Sequence, residues 1–386
     1  MNKTIKINIL ARGSKFNWGY NFGYWSLFNF FKQELLDLGY EINFHNTLND
    51  NFFDCDYMFV SNKFFSEAIG IRLTNKFKIL KIIYSKNIDY KVIAQKIFEK
   101  NKNLIWFDQS DSAGTTQFEV LPYVKRYVKG QLYKNKELYR NNFFRNRYFS
   151  DYYQKKFDLE KNINFNFCKL DANNEDKVIL GWNLGVGNFF DIINHSNYEK
   201  IICLSQIFFT QNHKKFYTYT LKNNEIKNKK FNVFFRLNER KNNDKKSIHF
   251  QRQHVGTLLK EKYNLEIFKK KMNHKKYLIS LMNSKVSVGC FGWGEICYRE
   301  FEATKMGTAF VYPNIDYIET WPNIFIDGIT YKSYKMDFSN LHESIEYMVE
   351  NNSVRSEMVY NAQYILNKIY TLEGFSYLTR FLNNLK

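Results

Sequence analysis

The stretch from Val286 to Tyr331 limits the possible folds more than any other part of the chain. It opens on Val286-Ser287-Val288-Gly289-Cys290, passes through Phe291-Gly292-Trp293-Gly294-Glu295, and continues by way of Arg299, Phe301-Glu302-Ala303 and Met306-Gly307 to Thr320-Trp321-Pro322. This order of residue types predicts a short buried strand, a Gly-rich turn, a helix with charges on one face, a glycine stop and a second strand ending at Pro313. Gly292 and Gly294 allow close backbone approach, and the N–H groups of such a turn, with a helix N-terminus behind them, suit a phosphorylated ligand. Glu295, Arg299 and Glu302 fall at i, i+4 and i+7, so the expectation is that all three project from one helical face towards that ligand.

The rest of the chain supplies a second unit of the same kind. Ile5, Ile7 and Ile9 alternate with polar residues, a Gly-rich loop runs from Arg12 to Gly23, and Trp25 to Leu38 has helical spacing that stops at Gly39. Further strands are expected at Glu41–Phe44, Tyr57–Val60, Leu104–Phe107, Val178–Leu180 and Phe231–Phe235, with helices at Tyr90–Phe98, from Ser247, and over Leu341–Met348, Met358–Ile369 and Phe375–Leu385. Tyr123 to Lys161, rich in Tyr, Phe, Lys and Arg, reads as helices with charged faces exposed. Alternating strands and helices in both halves imply an α/β protein with two Rossmann-like, doubly wound domains facing a central cleft. At 386 residues two cores are expected. The boundaries read as an N-terminal Rossmann-like domain over 1–190, an interdomain segment over 191–230, a C-terminal Rossmann-like ligand domain over 231–365, and a final helix over 366–386 packing back on the first domain.

Charge and cysteine usage narrow the function classes. Lys and Arg total 57 against 38 Asp and Glu, a net +19, which would suit nucleic acid, an anionic membrane face or phosphorylated substrates. The basic residues are dispersed, with short clusters at Lys227–Lys230, Arg240–Lys246 and Lys269–Lys276, so no specific nucleic-acid partner is expected. Cys55, Cys168, Cys203, Cys290 and Cys297 match neither a zinc site nor a disulfide framework, which fits a reducing compartment, and the seven scattered histidines give no readable metal site. The run Ile5–Ala11 is interrupted by Lys6 and Asn8, unlike a signal peptide. A cytoplasmic location is expected, with room for peripheral contact at an anionic membrane.

Candidate ligand groups sit where strands should end. Asp108 and Asp111 follow the Leu104–Phe107 strand, and Arg236 follows Phe231–Phe235, where a guanidinium is well placed for a diphosphate. Arg12 and Gly19 are candidates for the opposing wall of the cleft. Gly181-Trp182-Asn183-Leu184-Gly185-Val186-Gly187 lacks the glycine placement of a dinucleotide fingerprint and reads as interdomain structure.

At Gly292-Trp293-Gly294-Glu295, Arg299, Phe301-Glu302-Ala303 and Gly307 the sequence resembles the GT-B glycosyltransferases, especially bacterial proteins of the group-1-like class. Asp111-Ser112-Ala113-Gly114-Thr115, Phe118-Glu119-Val120-Leu121-Pro122-Tyr123, Trp182-Asn183 and Trp321-Pro322 look like the same family. The resemblance implies an enzyme using a nucleotide-sugar as co-substrate, with no cofactor and no metal, and a glycan or lipid-linked acceptor in the N-terminal domain. By position, Glu302 matches the carboxylate that binds the nucleotide ribose, and the turn before the helix matches the diphosphate-binding segment. Two features depart from the family: Glu295 and Glu302 stand seven apart rather than in a Glu-x7-Glu spacing, and Gly289-Cys290 replaces Ser-Pro. Physically, Arg236, Arg299 and the helix N-terminus would stabilise a leaving diphosphate, and Asp111, or Asp108, would serve as base if the reaction inverts. Two other classes compete: a basic protein binding nucleic acid or an anionic surface, and a catalytically inactive GT-B-like sugar-binding protein.

Overall fold

The computed structural model describes residues 4–11, 23–66, 88–159, 167–187, 229–236, 246–263 and 272–385. Arg12, Gly19 and nearly all of the 191–230 segment lie outside the described residues.

Two parallel sheets organise the chain. The first has six strands in the spatial order β2 (Tyr40–His45), β1 (Ile5–Leu10), β3 (Tyr57–Ser61), β4 (Leu104–Asp108), β5 (Arg126–Lys129) and β7 (Val178–Leu180). Every neighbouring pair in it is parallel. The second has four, β12 (Lys332–Tyr334), β10 (Ala309–Pro313), β9 (Ser284–Val288) and β8 (Phe231–Phe234), again all parallel. Strands covered on both faces need apolar side chains on both, and β4 and β10 are buried at every position. The first sheet reverses its order between β1 and β3, and in such sheets ligands collect beyond the carboxyl ends of the strands near that point. This is the α/β, two-sheet Rossmann-like arrangement expected from the alternation of elements.

Several links tie the two sheets together. β6 (Gln131–Tyr133) pairs antiparallel with β11 (Ile318–Thr320), and Thr320 Oγ1 donates to the Gly130 carbonyl at 2.8 Å. Asn183 donates to Thr320 Oγ1 (2.8 Å) and the Pro322 carbonyl (2.7 Å), which makes the Gly181–Gly187 patch interdomain structure, as its sequence suggested. The last helix, Leu372–Asn383, returns to the first sheet, where Phe381 meets Phe59, Phe107 and Trp182. Tyr377 of that helix stacks on Trp321 with ring centroids 3.9 Å apart. Among the described residues no helix is long and apolar enough to cross a membrane.

Three sequence expectations need correction. Part of Tyr123–Lys161 is strand rather than helix: β5 and β6 lie there, with short 3-10 turns at Lys136–Arg140 and Phe144–Asn146 and an α-helix at Tyr148–Phe157. Trp25–Leu38 forms two short helices, Ser26–Phe30 and Lys32–Asp37, that break at Phe31 and stop at Gly39, whose φ of +85° suits glycine. The third bears on the site: the helix after the Gly-rich turn starts at Tyr298, with extended backbone at Cys297 (φ −126°, ψ 163°). Glu295 therefore precedes the helix and does not share a helical face with Arg299 and Glu302.

Candidate functional site

A cavity of about 270 Å³ opens at the carboxyl ends of the second sheet. Arg236, just past β8, lines it together with Arg252 from the Lys246–Lys262 helix, Arg299 from the Tyr298–Lys305 helix, and Gly292-Trp293-Gly294. The turn is held from below, since the Phe291 N–H donates to Gln251 Oε1 at 3.1 Å. Arg299 Nη2 donates to the Cys290 carbonyl at 2.7 Å, while its Nη1 is buried with no hydrogen-bond partner. Burial, and then the neighbouring Arg299 charge, pull the Arg252 pKa below its ordinary value. A bound anion would offset the repulsion that Arg252 feels from Arg299 and satisfy the open Arg299 Nη1 donor.

Glu300 lies beside Arg299 of this cation set. It is buried, its Oε1 is 4.0 Å from Arg299 Nε, and its Oε2 has no partner. Burial pushes its carboxyl pKa up to about 7 against the lowering pull of Arg299. Gly289 leaves room for it: a Cβ there would stand 2.7 Å from Glu300 Oε1. Nothing in the spacing marked Glu300, because its neighbours Arg299 and Glu302 carried the amphipathic pattern.

The second cavity, about 360 Å³, lies at the carboxyl ends of the first sheet. Its lining includes Tyr24, Asp108, Gln109, Asp111, Gln131 and Trp182. The two cavities share Asp111, Leu184, Ile296 and Tyr298, so they meet at Asp111. The two aspartates differ sharply. Asp108 is fully buried and accepts from Asn62 Nδ2 (3.1 Å), the Ser110 N–H (2.8 Å), the Tyr127 hydroxyl and Lys129 Nζ (3.0 Å). Asp111 is exposed, and its carboxylate accepts no hydrogen bond among the described residues.

Glu295 bridges the two halves. Fully buried, it accepts from Ser112 Oγ (3.2 Å) and the Ala113 N–H (3.0 Å), so it caps a turn of the other sheet rather than its own helix. Burial raises its pKa, and those donors together with Arg147 oppose the rise. Gly294 is pressed against the same turn: a Cβ on it would lie 1.5 Å from the Asp111 carbonyl oxygen. Trp293 is 42% exposed with the Arg147 guanidinium 5.5 Å from its ring centroid. Glu302 sits one turn beyond Arg299, pairs with His274 Nε2 at 2.8 Å, and lines neither cavity. The structure thus brings Arg236, Gly292, Trp293, Gly294, Arg299 and Asp111 together around one opening and leaves Glu302 outside its lining. Tyr24, Gln109, Gln131 and Arg252 complete it from distant parts of the chain, and only Arg252 carried a sequence signal, its nearness to Arg236 in a basic stretch.

Among the described residues no group of three or more His, Cys, Asp or Glu is arranged to hold a metal ion. No family model matches the chain, and no curated protein matches it. Solved structures overlap it loosely. A glycosyltransferase from Rickettsia africae is 11% identical, with 100% of each chain covered and a TM-score of 0.39. TarM is 12% identical over 100% of this chain and 99% of that one, with a TM-score of 0.40. A Listeria monocytogenes protein named for UDP-N-acetylglucosamine 2-epimerase is 9% identical over 95% of each chain, with a TM-score of 0.36. Overlaps at this level fix neither a family nor a reaction, and the names themselves differ in reaction.

Proposed function

We propose that the chain is a GT-B-type glycosyltransferase that moves a sugar from a nucleotide-sugar to a hydroxyl of a glycan or lipid-linked acceptor. One observation carries this reading: an arginine-lined cavity and a second, largely uncharged cavity open onto each other at a single exposed carboxylate, Asp111. Arg236, Arg252 and Arg299 are assigned to the donor diphosphate, and Glu302, held by His274, to the nucleotide ribose. In the transfer, the acceptor oxygen attacks the anomeric carbon and passes its proton to Asp111, while the bond from that carbon to the diphosphate oxygen breaks. The electron pair leaves with the diphosphate, where guanidinium groups already in place meet the new charge without reorganising.

Calorimetry against a panel of nucleotide-sugars tests the donor half. One member is expected to bind, and Arg299→Ala is expected to weaken it about 10- to 100-fold, the loss of a charge-assisted contact. If no nucleotide or nucleotide-sugar binds, or if Arg299→Ala leaves affinity unchanged, the donor assignment is wrong.

A pH dependence follows from Glu300. Its carboxyl is neutral below about pH 7 and ionised above it, and the ionised form offsets one of the cations facing the donor. Donor affinity is therefore expected to fall as pH rises from 6 to 8, by roughly five- to tenfold for a charge this close in a half-buried site. The neighbouring Cys290 thiol, pushed up to about 12 by burial, stays protonated throughout, and a nucleotide-sugar diphosphate does not titrate in this window. Glu300→Gln should flatten the profile at the tight-binding, low-pH level. A profile that keeps its slope in the variant assigns the titration elsewhere. Stability follows the same sign: a folded-state pKa raised above the unfolded one contributes stability at low pH that is lost as pH rises to about 7.

A further inference from the structure

We infer that the acceptor group entering the second cavity is a neutral sugar ring, recognised through its hydroxyls by Tyr24, Gln109 and Gln131; this rests on the transfer reading above. Three side chains that line this cavity each carry a fully buried polar atom with no hydrogen-bond partner: Tyr24 Oη, Gln109 Nε2 and Gln131 Oε1. Tyr24 is 8% exposed and Gln131 6%. Buried polar groups are nearly always satisfied in folded proteins, so three orphans on one cavity wall point to a ligand that supplies the missing partners.

Their chemistry selects the ligand. Gln131 donates through Nε2 to the Asp111 carbonyl, which fixes its amide and leaves Oε1 as a pure acceptor. Gln109 Nε2 offers a donor. Tyr24 offers a hydroxyl that both donates and accepts. A carboxylate or phosphate only accepts, so it would leave Gln131 Oε1 unpaired and would face the Asp111 charge. An ammonium only donates and would leave Gln109 Nε2 unpaired. Hydroxyl groups on adjacent ring carbons serve all three. Lys63 and Asp111 contribute one charge of each sign to the lining, while the Asp108 charge is met by Lys129, so the cavity has little net preference for an ion. Trp182, Leu184 and Ile296 give the C–H face of a ring an apolar surface, and the site holds the mix of apolar walls and few fixed polar groups common in small-ligand cavities. Gln131 also places the ring: by holding the Asp111 backbone it couples hydroxyl recognition to the position of the proposed base.

The test uses the full chain and ligand-observed NMR titrations with three probe sets: methyl glycosides of neutral hexoses, the matching uronic acids, and the matching amino sugars. Neutral glycosides are expected to bind best. Tyr24→Phe and Gln109→Leu are each expected to weaken the preferred glycoside about tenfold, the loss of one hydrogen bond that leaves its partner unpaired. Thermal melts check that both variants fold, and Tyr24→Phe removes a single oxygen from a ring that otherwise keeps its packing. The inference is overturned if no neutral glycoside binds, if a uronic acid or amino sugar binds better, or if both variants bind the glycoside as the wild type does. Nucleotide-sugar affinity, measured on the same proteins, separates the two readings. Loss of glycoside binding with donor binding intact supports the acceptor site. Absence of donor binding with selective glycoside binding sinks the transfer reaction and leaves the sugar site standing.

Discussion

Asp111→Asn is expected to lower kcat by about 10²- to 10⁴-fold while nucleotide-sugar affinity stays near the wild-type value, the signature of a lost general base. Asparagine keeps the shape of the side chain and removes its capacity to take a proton. The neighbouring aspartate provides the control. Asp108 already accepts from four donors and forms a fully buried ion pair with Lys129. Its carboxylate has no lone pair facing an incoming hydroxyl, and its replacement strands a buried lysine. Asp108→Asn is therefore expected to cost roughly 3–5 kcal/mol of stability, the usual effect of breaking a buried pair by one partner. The experiment is a pair of measurements on each variant, turnover with the best donor and acceptor and a thermal melt. Asp111→Asn should move only turnover, and Asp108→Asn chiefly the melt. If Asp111→Asn turns over within tenfold of wild type, the proton goes elsewhere or the reaction does not need a base at this point, as in a retaining displacement.

The two sheets were legible because their signals are local. The alternation in Ile5–Leu10, the stops at Gly39 and Gly307, and the apolar run ending at Pro313 each express a rule that acts over a few residues. β5 was not legible for a physical reason: Arg126-Tyr127-Val128-Lys129 places a lysine where a central strand should be apolar, and Asp108 on the adjoining strand, with the Thr115 carbonyl, makes that burial tolerable. Glu295 misled in the opposite way. Its spacing to Arg299 and Glu302 fits a helical face, yet its side chain is claimed by Ser112 and the Ala113 N–H of the other half, and the helix does not begin until Tyr298. A carboxylate whose partners lie more than 180 residues away leaves no trace in local periodicity. The same holds for the cavity walls. Tyr24, Gln109 and Gln131 come from three separate parts of the first half, and each is locally ordinary until the fold places them around one opening.

Gly294→Ala is the substitution expected to damage both halves of the site at once. The added methyl carbon would lie 1.5 Å from the Asp111 carbonyl oxygen, 2.2 Å from its carbon and 2.8 Å from the Ser112 nitrogen, all backbone atoms. No rotamer change relieves a clash with backbone, so either the Gly-rich turn or the Asp111–Ala113 turn must move. The Glu295 bonds to Ser112 and Ala113 join the same two turns and are stretched by either shift. Overpacking of this kind costs about 1–3 kcal/mol. The catalytic loss should be of similar size, since a displacement near 1 Å between the proposed base and the donor cavity is enough for about a 100-fold drop in turnover. Gly292→Ala separates this from a general intolerance of the turn. Its nearest obstacle is the Cys297 thiol at 2.7 Å, a side-chain atom within the same half of the protein, with Arg252 Nη2 beyond at 3.9 Å. That variant should weaken donor binding without displacing Asp111, so its defect appears in KM more than in kcat. The Gly294 variant should show it in kcat, together with a lower melting temperature. Wild-type turnover in Gly294→Ala would mean that the two turns do not need their close approach for the reaction, and that the junction at Asp111 is not where the chemistry takes place.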